Sequence, residues 1–259
     1  MALLPVISFT QDVCPQYPIN FKAGEKLTYV VSYNWFVIFT EVGEADFTVE
    51  NAKIGDRPCL HILALGKTYP SWDWFFKVRD RYETWVEPAT LKPYYFKRQV
   101  REGGYEIDYK DVFNRQKKYA ISRHVVNKSP EKRDTIAISN CTFDVISVLY
   151  YARTLDYTKL KPGNKVDFSI LLDRKIEHVN FSFKGIENIK VKKIGDVECI
   201  KLGVSLVAGT VFKEGDEMYI WISNDKNHIP VYMETPIIVG SVKVKLLSFE
   251  GLKYPLKIN

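Results

Sequence analysis

The sequence predicts a mostly β protein, built as two similar antiparallel curved-sheet or half-barrel units with one buried helix between them. Three observations predict it. Val, Ile, Thr, Phe, Tyr and Trp total 97 residues, whereas Ala and Leu total 28. Such β-branched and aromatic side chains suit the pleated, half-buried surface of a strand. Motifs of the first half recur in the second at a nearly constant offset. One stretch between the halves is apolar on almost every helical face. The 259 residues are 46% hydrophobic and 26% charged, with 14 Gly and 12 Pro. That is ample for a packed core and excludes disorder, collagen and coiled coil.

Residues 1–20 form a leader-like N-terminal segment. Its apolar run MALLPVISF is too short to span a bilayer. It resembles the hydrophobic region of a secretory signal, with Ser8-Phe9-Thr10 as a small-x-small cleavage site before Gln11. The basic region that should precede it is missing, so the signal reads as truncated.

The two β halves are expected at 21–126 and 161–259. Gly24-Glu-Lys26-Leu27-Thr-Tyr29 recurs as Gly163-Asn-Lys165-Val166-Asp-Phe168. Ile54-Gly55-Asp56, followed by Cys59, recurs as Ile194-Gly195-Asp196, followed by Cys199. Trp85 with Pro93 recurs as Trp221 with Pro230. Each Gly-x-Lys opens a strand after a turn, and each Ile-Gly-Asp reads as a hairpin turn in which Gly supplies positive φ. The connector, 127–160, carries the helix, expected at about 140–153. Ser139, Asn140 or Thr142 would cap it and Asp144 would sit in its first turn. Phe143, Val145, Ile146, Val148, Leu149, Tyr150, Tyr151 and Ala152 leave it no polar face, so it is buried.

The block 72–86 alternates with period two and reads as one strand. Trp72, Trp74, Phe76, Val78, Asp80, Tyr82 and Thr84 share a face; Trp85 falls on the other. A hairpin centred on Ala89 would set Asp80 opposite Arg98, Tyr82 opposite Phe96 and Thr84 opposite Tyr94. Asp80 among aromatics needs a partner, and Arg98 is the expected one. Trp72, Trp74, Tyr82, Trp85, Tyr94, Asp80 and Arg98 are therefore the candidate binding residues, a platform for sugar rings or acyl chains. Ordinary core packing is the competing account.

Several strings resemble a bacterial family known only as domain of unknown function 3108. They are Phe21, Gly24, Glu25, Leu27 and Tyr29 near the start, then Asp80 and Glu83. The helix string from Asp144 to Arg153 follows, and last come Trp221, Asp225 and Pro230. The resemblance covers most of the chain after residue 20. It implies a β-rich, barrel-like envelope protein exported in Gram-negative bacteria, with no established activity. Asp144, Arg153, Trp221, Asp225, Pro230, Cys59 and Cys199 are expected to be structural.

Catalytic signatures are missing: no nucleophile elbow, zinc-protease, Walker or dinucleotide motif occurs. His61, His124, His178 and His228 are scattered, and Cys14, Cys59, Cys141 and Cys199 fit no zinc module. No metal, cofactor or catalytic residue is expected. The four cysteines allow three pairings if all are oxidised; buried free thiols are favoured at Cys59 and Cys199. The net charge of +6 is diffuse, which argues against nucleic acid and allows a weak peripheral attraction to anionic lipid. No transmembrane span is expected. The expected function is a non-enzymatic protein of the periplasm or outer membrane that binds or scaffolds a lipid, glycan or protein. The alternative is a hydrolase of envelope polysaccharide using two carboxylates from Asp80, Glu83, Asp144 or Asp225.

Overall fold

The computed structural model describes residues 14–35, 38–205, 217–237 and 240–259. The leader-like stretch and its cleavage motif lie outside the described residues.

The chain is mostly strand. The first half supplies β1 (Lys26–Trp35), β2 (Ile38–Ile54), β3 (Arg57–Thr68), β4 (Arg79–Val86), β5 (Pro93–Glu102), β6 (Tyr105–Asn114) and β7 (Tyr119–Val126). The connector contributes β8 (Lys132–Ala137), the two-residue β9 (Thr142–Phe143) and helix α1 (Val145–Arg153). The second half adds β10 (Lys165–Leu172), β11 (Lys175–Val191), β12 (Gly195–Ser205), β13 (Glu217–Ser223), β14 (Pro230–Pro236) and β15 (Ser241–Glu250). Among the described residues, fifteen strands join one sheet in the order β8-β7-β6-β5-β4-β3-β2-β1-β15-β14-β13-β12-β11-β10-β9. The expected halves are thus sewn together where β1 pairs antiparallel with β15. The connector adds both sheet edges, β8 and β9.

Alternation explains the rolled shape. Leu60, Ile62 and Ala64 of β3, Thr84 and Val86 of β4, and Phe96, Arg98 and Val100 of β5 are buried, while their neighbours reach outward. The buried set packs around α1, which touches β3, β4, β9 and β10. Those strands lie far apart in the sheet order, so the sheet curls round the helix. Side chains bridge the two ends of the sheet order. Arg98 pairs with Asp173 in the β10–β11 turn, Arg174 lies 3.8 Å from Asp134, and Arg115 donates to the Thr142 carbonyl at 2.6 Å.

The helix is buried, as its composition demands, but it starts later than expected. Thr142 and Phe143 are committed to β9, which pairs with β10. Asp144, expected inside the first turn, is instead the N-cap. Its side chain accepts from the backbone N–H of Ile146 and Ser147, and Ser147 returns a bond to its backbone. This capping box satisfies donors that a helix start leaves unpaired. At the other end, Arg153 clasps Glu25 with two hydrogen bonds of 2.6 and 2.9 Å. Both residues are almost wholly buried.

Two local expectations are corrected. The 72–86 block is not one strand: Trp72, Asp73 and Trp74 belong to a turn, and β4 begins only at Arg79. Asp73 is the cause, because its carboxylate takes hydrogen bonds from Thr68 and Arg79 and folds the chain back. In the second half, Ile194-Gly195-Asp196 is not the turn itself. The turn lies at Lys192–Ile194 and Gly195 already pairs with Val191. Lys193, at φ 69°, takes the left-handed position.

Candidate functional site

The β4–β5 hairpin sets the inner wall, and its register differs from the expected one by two residues. Tyr82 faces Arg98, Thr84 faces Phe96 and Trp85 faces Tyr95. The faces were assigned correctly, because a two-residue slip preserves alternation. The pairing of Asp80 with Arg98 is overturned, and so are Tyr82 with Phe96 and Thr84 with Tyr94. The turn is the reason. Glu87 both donates to the Lys92 carbonyl and accepts from Leu91, and Leu91 has φ 57°. A bulge between Trp85 and Val86 absorbs the offset.

Each charged residue therefore finds another partner. Asp80 accepts the Arg101 backbone N–H at 3.0 Å. Burial, then the neighbouring Asp80, pushes the Glu102 carboxyl up to about 7. Arg98 pairs with Asp173 and lies over the Tyr109 ring at 4.6 Å. Tyr109 in turn stacks on His124 at 5.1 Å. Burial raises the Tyr82 hydroxyl to about 12, so it is a neutral wall residue at physiological pH. A buried polar belt continues on β6 and β7, where Asp111 is 4% exposed. Burial pushes its carboxyl up to about 6.

The ends of β1, β3, β5 and β14 and the starts of β2, β4, β6 and β15 stand at one end of the rolled sheet, here called the rim. There the Trp72–Phe76 loop folds over the inner wall. It is braced rather than free: Arg79 donates to Asp73 at 2.6 and 3.0 Å, and Thr68 donates to it at 2.6 Å. Hydrogen bonds from Arg79 and Thr68 hold the Asp73 carboxyl below its ordinary range. The loop's one carboxylate is thereby consumed, and three of its aromatics are left exposed. Trp74 is 81%, Phe75 68% and Phe76 48% exposed.

Under this loop lies a cavity of about 370 Å³. Val31, Tyr33, Trp72, Phe75, Phe76, Val78, Ile237 and Val242 make it apolar, and Gly43 and Gly66 leave room at its floor. A side chain at Gly43 would collide with the Lys67 carbonyl, whereas one at Gly66 would meet only the Asp80 Cβ, at 3.8 Å. Beside Leu149 and Tyr150 the interior is nearly filled, with a cavity of only about 40 Å³, while a cavity of about 260 Å³ lies on the other side of the helix by Phe143, Tyr151 and Phe168.

The remaining candidates scatter. Trp85 is on the outer face, stacked on His61 at 4.5 Å and tilted against Tyr95 at 5.0 Å. Glu83 lies beside it, its carboxyl held low by hydrogen bonds from Arg81. Tyr94 sits near Glu87 at the end opposite the rim. Only Trp72, Trp74, Asp80, Tyr82 and Arg98 of the seven belong to the rim or the inner wall. The four carboxylates proposed for hydrolysis do not converge. Asp80 lines the wall, Glu83 the outer face, Asp144 caps the helix, and Asp225 organises the 223–228 loop by accepting from Ser223, Asn227 and His228.

Of the structural candidates, Trp221 donates to Glu187 at 2.7 Å and packs on Tyr232. The Pro230 carbonyl accepts the Tyr29 hydroxyl. Cys59 and Cys199 are buried free thiols, and burial raises both above the ordinary thiol range. Cys14 and Cys141 form a disulfide. Among the described residues no cluster of His, Cys, Asp or Glu is arranged to hold a metal. No described helix is long and apolar enough to cross a membrane.

The sequence reasoning left Phe75, Val31, Tyr33, Gly66 and Val242 out of the site. The Tyr-Pro-Ser-Trp-Asp-Trp run was the available signal for a turn. Pro70 and Asp73 are turn residues, but strict alternation of the aromatics outvoted them.

Fold and site together define a β-barrel-like protein with a helix inside one end and an apolar cavity at the other. The family model described as "Protein of unknown function (DUF3108)" matches residues 28–247, and the chain belongs to that family. The fold is also that of a crystal structure of a β-barrel-like protein of domain of unknown function DUF1849 from Brucella abortus. That likeness has a TM-score of 0.56 and 8% identity, covering 88% of this chain and 98% of that one. No curated protein matches the sequence.

Proposed function

We propose that this is an exported, non-enzymatic cell-envelope protein that binds the apolar chain of a lipid in the rim cavity. One observation carries the reading: a cavity of about 370 Å³ with an almost wholly apolar lining opens beside the exposed Phe75 and Phe76. That volume falls within the ~300–1,000 Å³ range of small-molecule sites. Burying a chain there removes apolar surface from water at ~25 cal/mol per Å². The lining offers a glycan few hydrogen-bond partners, which favours a lipid over a sugar. Export is supported by the leader-like N-terminus and by the Cys14–Cys141 disulfide, a bond that persists in oxidising compartments. The periplasm, or the periplasmic face of the outer membrane, fits both.

Gly66→Leu tests this reading. It fills the cavity from a position whose nearest neighbour is 3.8 Å from the new Cβ. Titration of a fluorescent fatty-acyl probe is expected to saturate at one equivalent in the wild type. Binding should fall at least tenfold in the variant while its melt stays cooperative. A probe that binds both proteins equally refutes the cavity as the site.

We further infer that the two halves are structural repeats. Gly24 and Gly163 have φ of 92° and 90°, and their N–H groups donate to Val49 and Phe183 across the sheet. Trp85 lies between His61 and Tyr95 as Trp221 lies between Lys201 and Tyr232. Cys59 and Cys199 each stand two residues before the partner of that Trp.

A further inference from the structure

The rim loop has a second concavity on its other side. A notch of about 180 Å³ is lined by Lys77, Arg79, Arg101, Glu102 and Glu106, with Gly103 and Gly104 at the β5–β6 turn. Phe76 separates the two spaces. It lines the apolar cavity, and its ring packs so closely on Gly103 that a Cβ there would stand 2.5 Å from it. Gly103 also has φ 52°, so glycine serves both the turn and the close approach.

The notch is prepared for an anion. Arg79 is fixed by bonds from Nη1 to Thr68, Asp73 and the Val78 carbonyl, and from Nη2 to Asp73. Arg101 is fixed through Nη1 to the Val100 and Ile107 carbonyls and through Nη2 to Asp108. A guanidinium has five N–H donors, so among the described residues each arginine keeps its Nε–H and one Nη2 hydrogen unpartnered. Both are held in place before any ligand arrives, which lowers the entropy lost on binding. Lys77 is exposed beside them. A simple anion does not match the whole notch, because Glu102 and Glu106 line it too. Cations and carboxylates side by side fit a ligand that carries both signs.

We propose that the rim seats one zwitterionic phospholipid, its acyl chain in the apolar cavity and its headgroup in the notch. The phosphodiester meets Lys77, Arg79 and Arg101, and a primary ammonium meets the Glu106 carboxylate, with the Glu102 carboxyl beside it. Phe76 lies under the glycerol between them. The proposal rests on the acyl-chain reading above and adds the identity of the headgroup. It also gives the braced loop a purpose, since one rigid element orients the walls of both subsites.

Short-chain lipids below their micelle concentration test it in solution, with binding read by calorimetry. The probes are dihexanoyl phosphatidylethanolamine, dihexanoyl phosphatidylglycerol, monohexanoyl glycerol, which has a chain and no charge, and glycerophosphoethanolamine, which has the headgroup and no chain. Wild type is expected to bind the ethanolamine lipid at least tenfold tighter than the uncharged chain and tighter than the glycerol lipid. Lys77→Glu should abolish the advantage over the uncharged chain. Glu106→Gln should abolish the preference over phosphatidylglycerol. Gly66→Leu should weaken every chain-bearing probe. An unchanged ethanolamine-to-uncharged ratio in Lys77→Glu overturns the headgroup site and leaves the acyl-chain reading standing. Equal binding of the two phospholipids by wild type overturns the zwitterion. Tight binding of glycerophosphoethanolamine alone shows that the notch works without the cavity and overturns the joined site. Failure of every chain-bearing probe to bind wild type refutes the acyl-chain reading itself.

Discussion

Separating Glu25 from Arg153 should be the most damaging single change in the helix end of the molecule. Their side chains are 0% and 3% exposed and share two hydrogen bonds of 2.6 and 2.9 Å. Arg153 also donates to the Asn227 carbonyl at 3.2 and 3.3 Å and lies 5.1 Å from the Phe21 and Tyr150 rings. Glu25→Leu leaves a guanidinium in that site with one carbonyl for company; Arg153→Met leaves a lone carboxylate. Removing one partner of a buried pair costs ~3–5 kcal/mol, because the other charge stays desolvated. Removing both costs much less, since the desolvation penalty vanishes with the attraction, and a loss of about 1–2 kcal/mol from the Asn227 contact and imperfect packing is expected. Urea melts of the wild type, both single variants and the double variant close the cycle, with constant m-values as the check on two-state behaviour. Single losses below ~1 kcal/mol, or losses that simply add, would refute the argument that this pair anchors the helix to β1.

Two further outcomes follow from buried groups. Burial lifts Asp111 from 3.8 to about 6, so the folded state holds that proton more tightly than the unfolded one. Its contribution is fully present below about 3.8 and is lost as pH rises to 6, a change of ~3 kcal/mol at 1.36 kcal/mol per unit. Asp111→Asn should therefore lose more stability at pH 4 than at pH 8, and parallel stability profiles for the two proteins would contradict this. Denatured protein should titrate two thiols without reductant and four with it, because Cys14 is bonded to Cys141. Reduction should cost up to about 5 kcal/mol, the chain-entropy value for a closed loop spanning 127 positions; four thiols in the unreduced protein would exclude the bond.

Much of the architecture was legible in sequence order alone. Strand composition, the all-round apolar helix and the recurrence of Gly-x-Lys depend on residue type and spacing, which local geometry reads directly. The inner and outer faces of β4 and β5 were legible for the same reason, as alternation survives a slip of two. The partner of Arg98 was not. Register depends on how many residues a turn consumes, and Leu91 at positive φ with a bulge at Trp85 moved it. The rim loop was misjudged because Asp73 found Thr68 and Arg79, and such a side-chain bond outweighs a weak strand preference. Glu25 and Arg153 were both visible in the family strings, yet 128 positions separate them. Only the rolling of the sheet around the helix brings them together. The cavity, likewise, belongs to no segment. It exists because β1, β15 and a loop after β3 meet at one end of the sheet, with Gly66 where a side chain would have filled it.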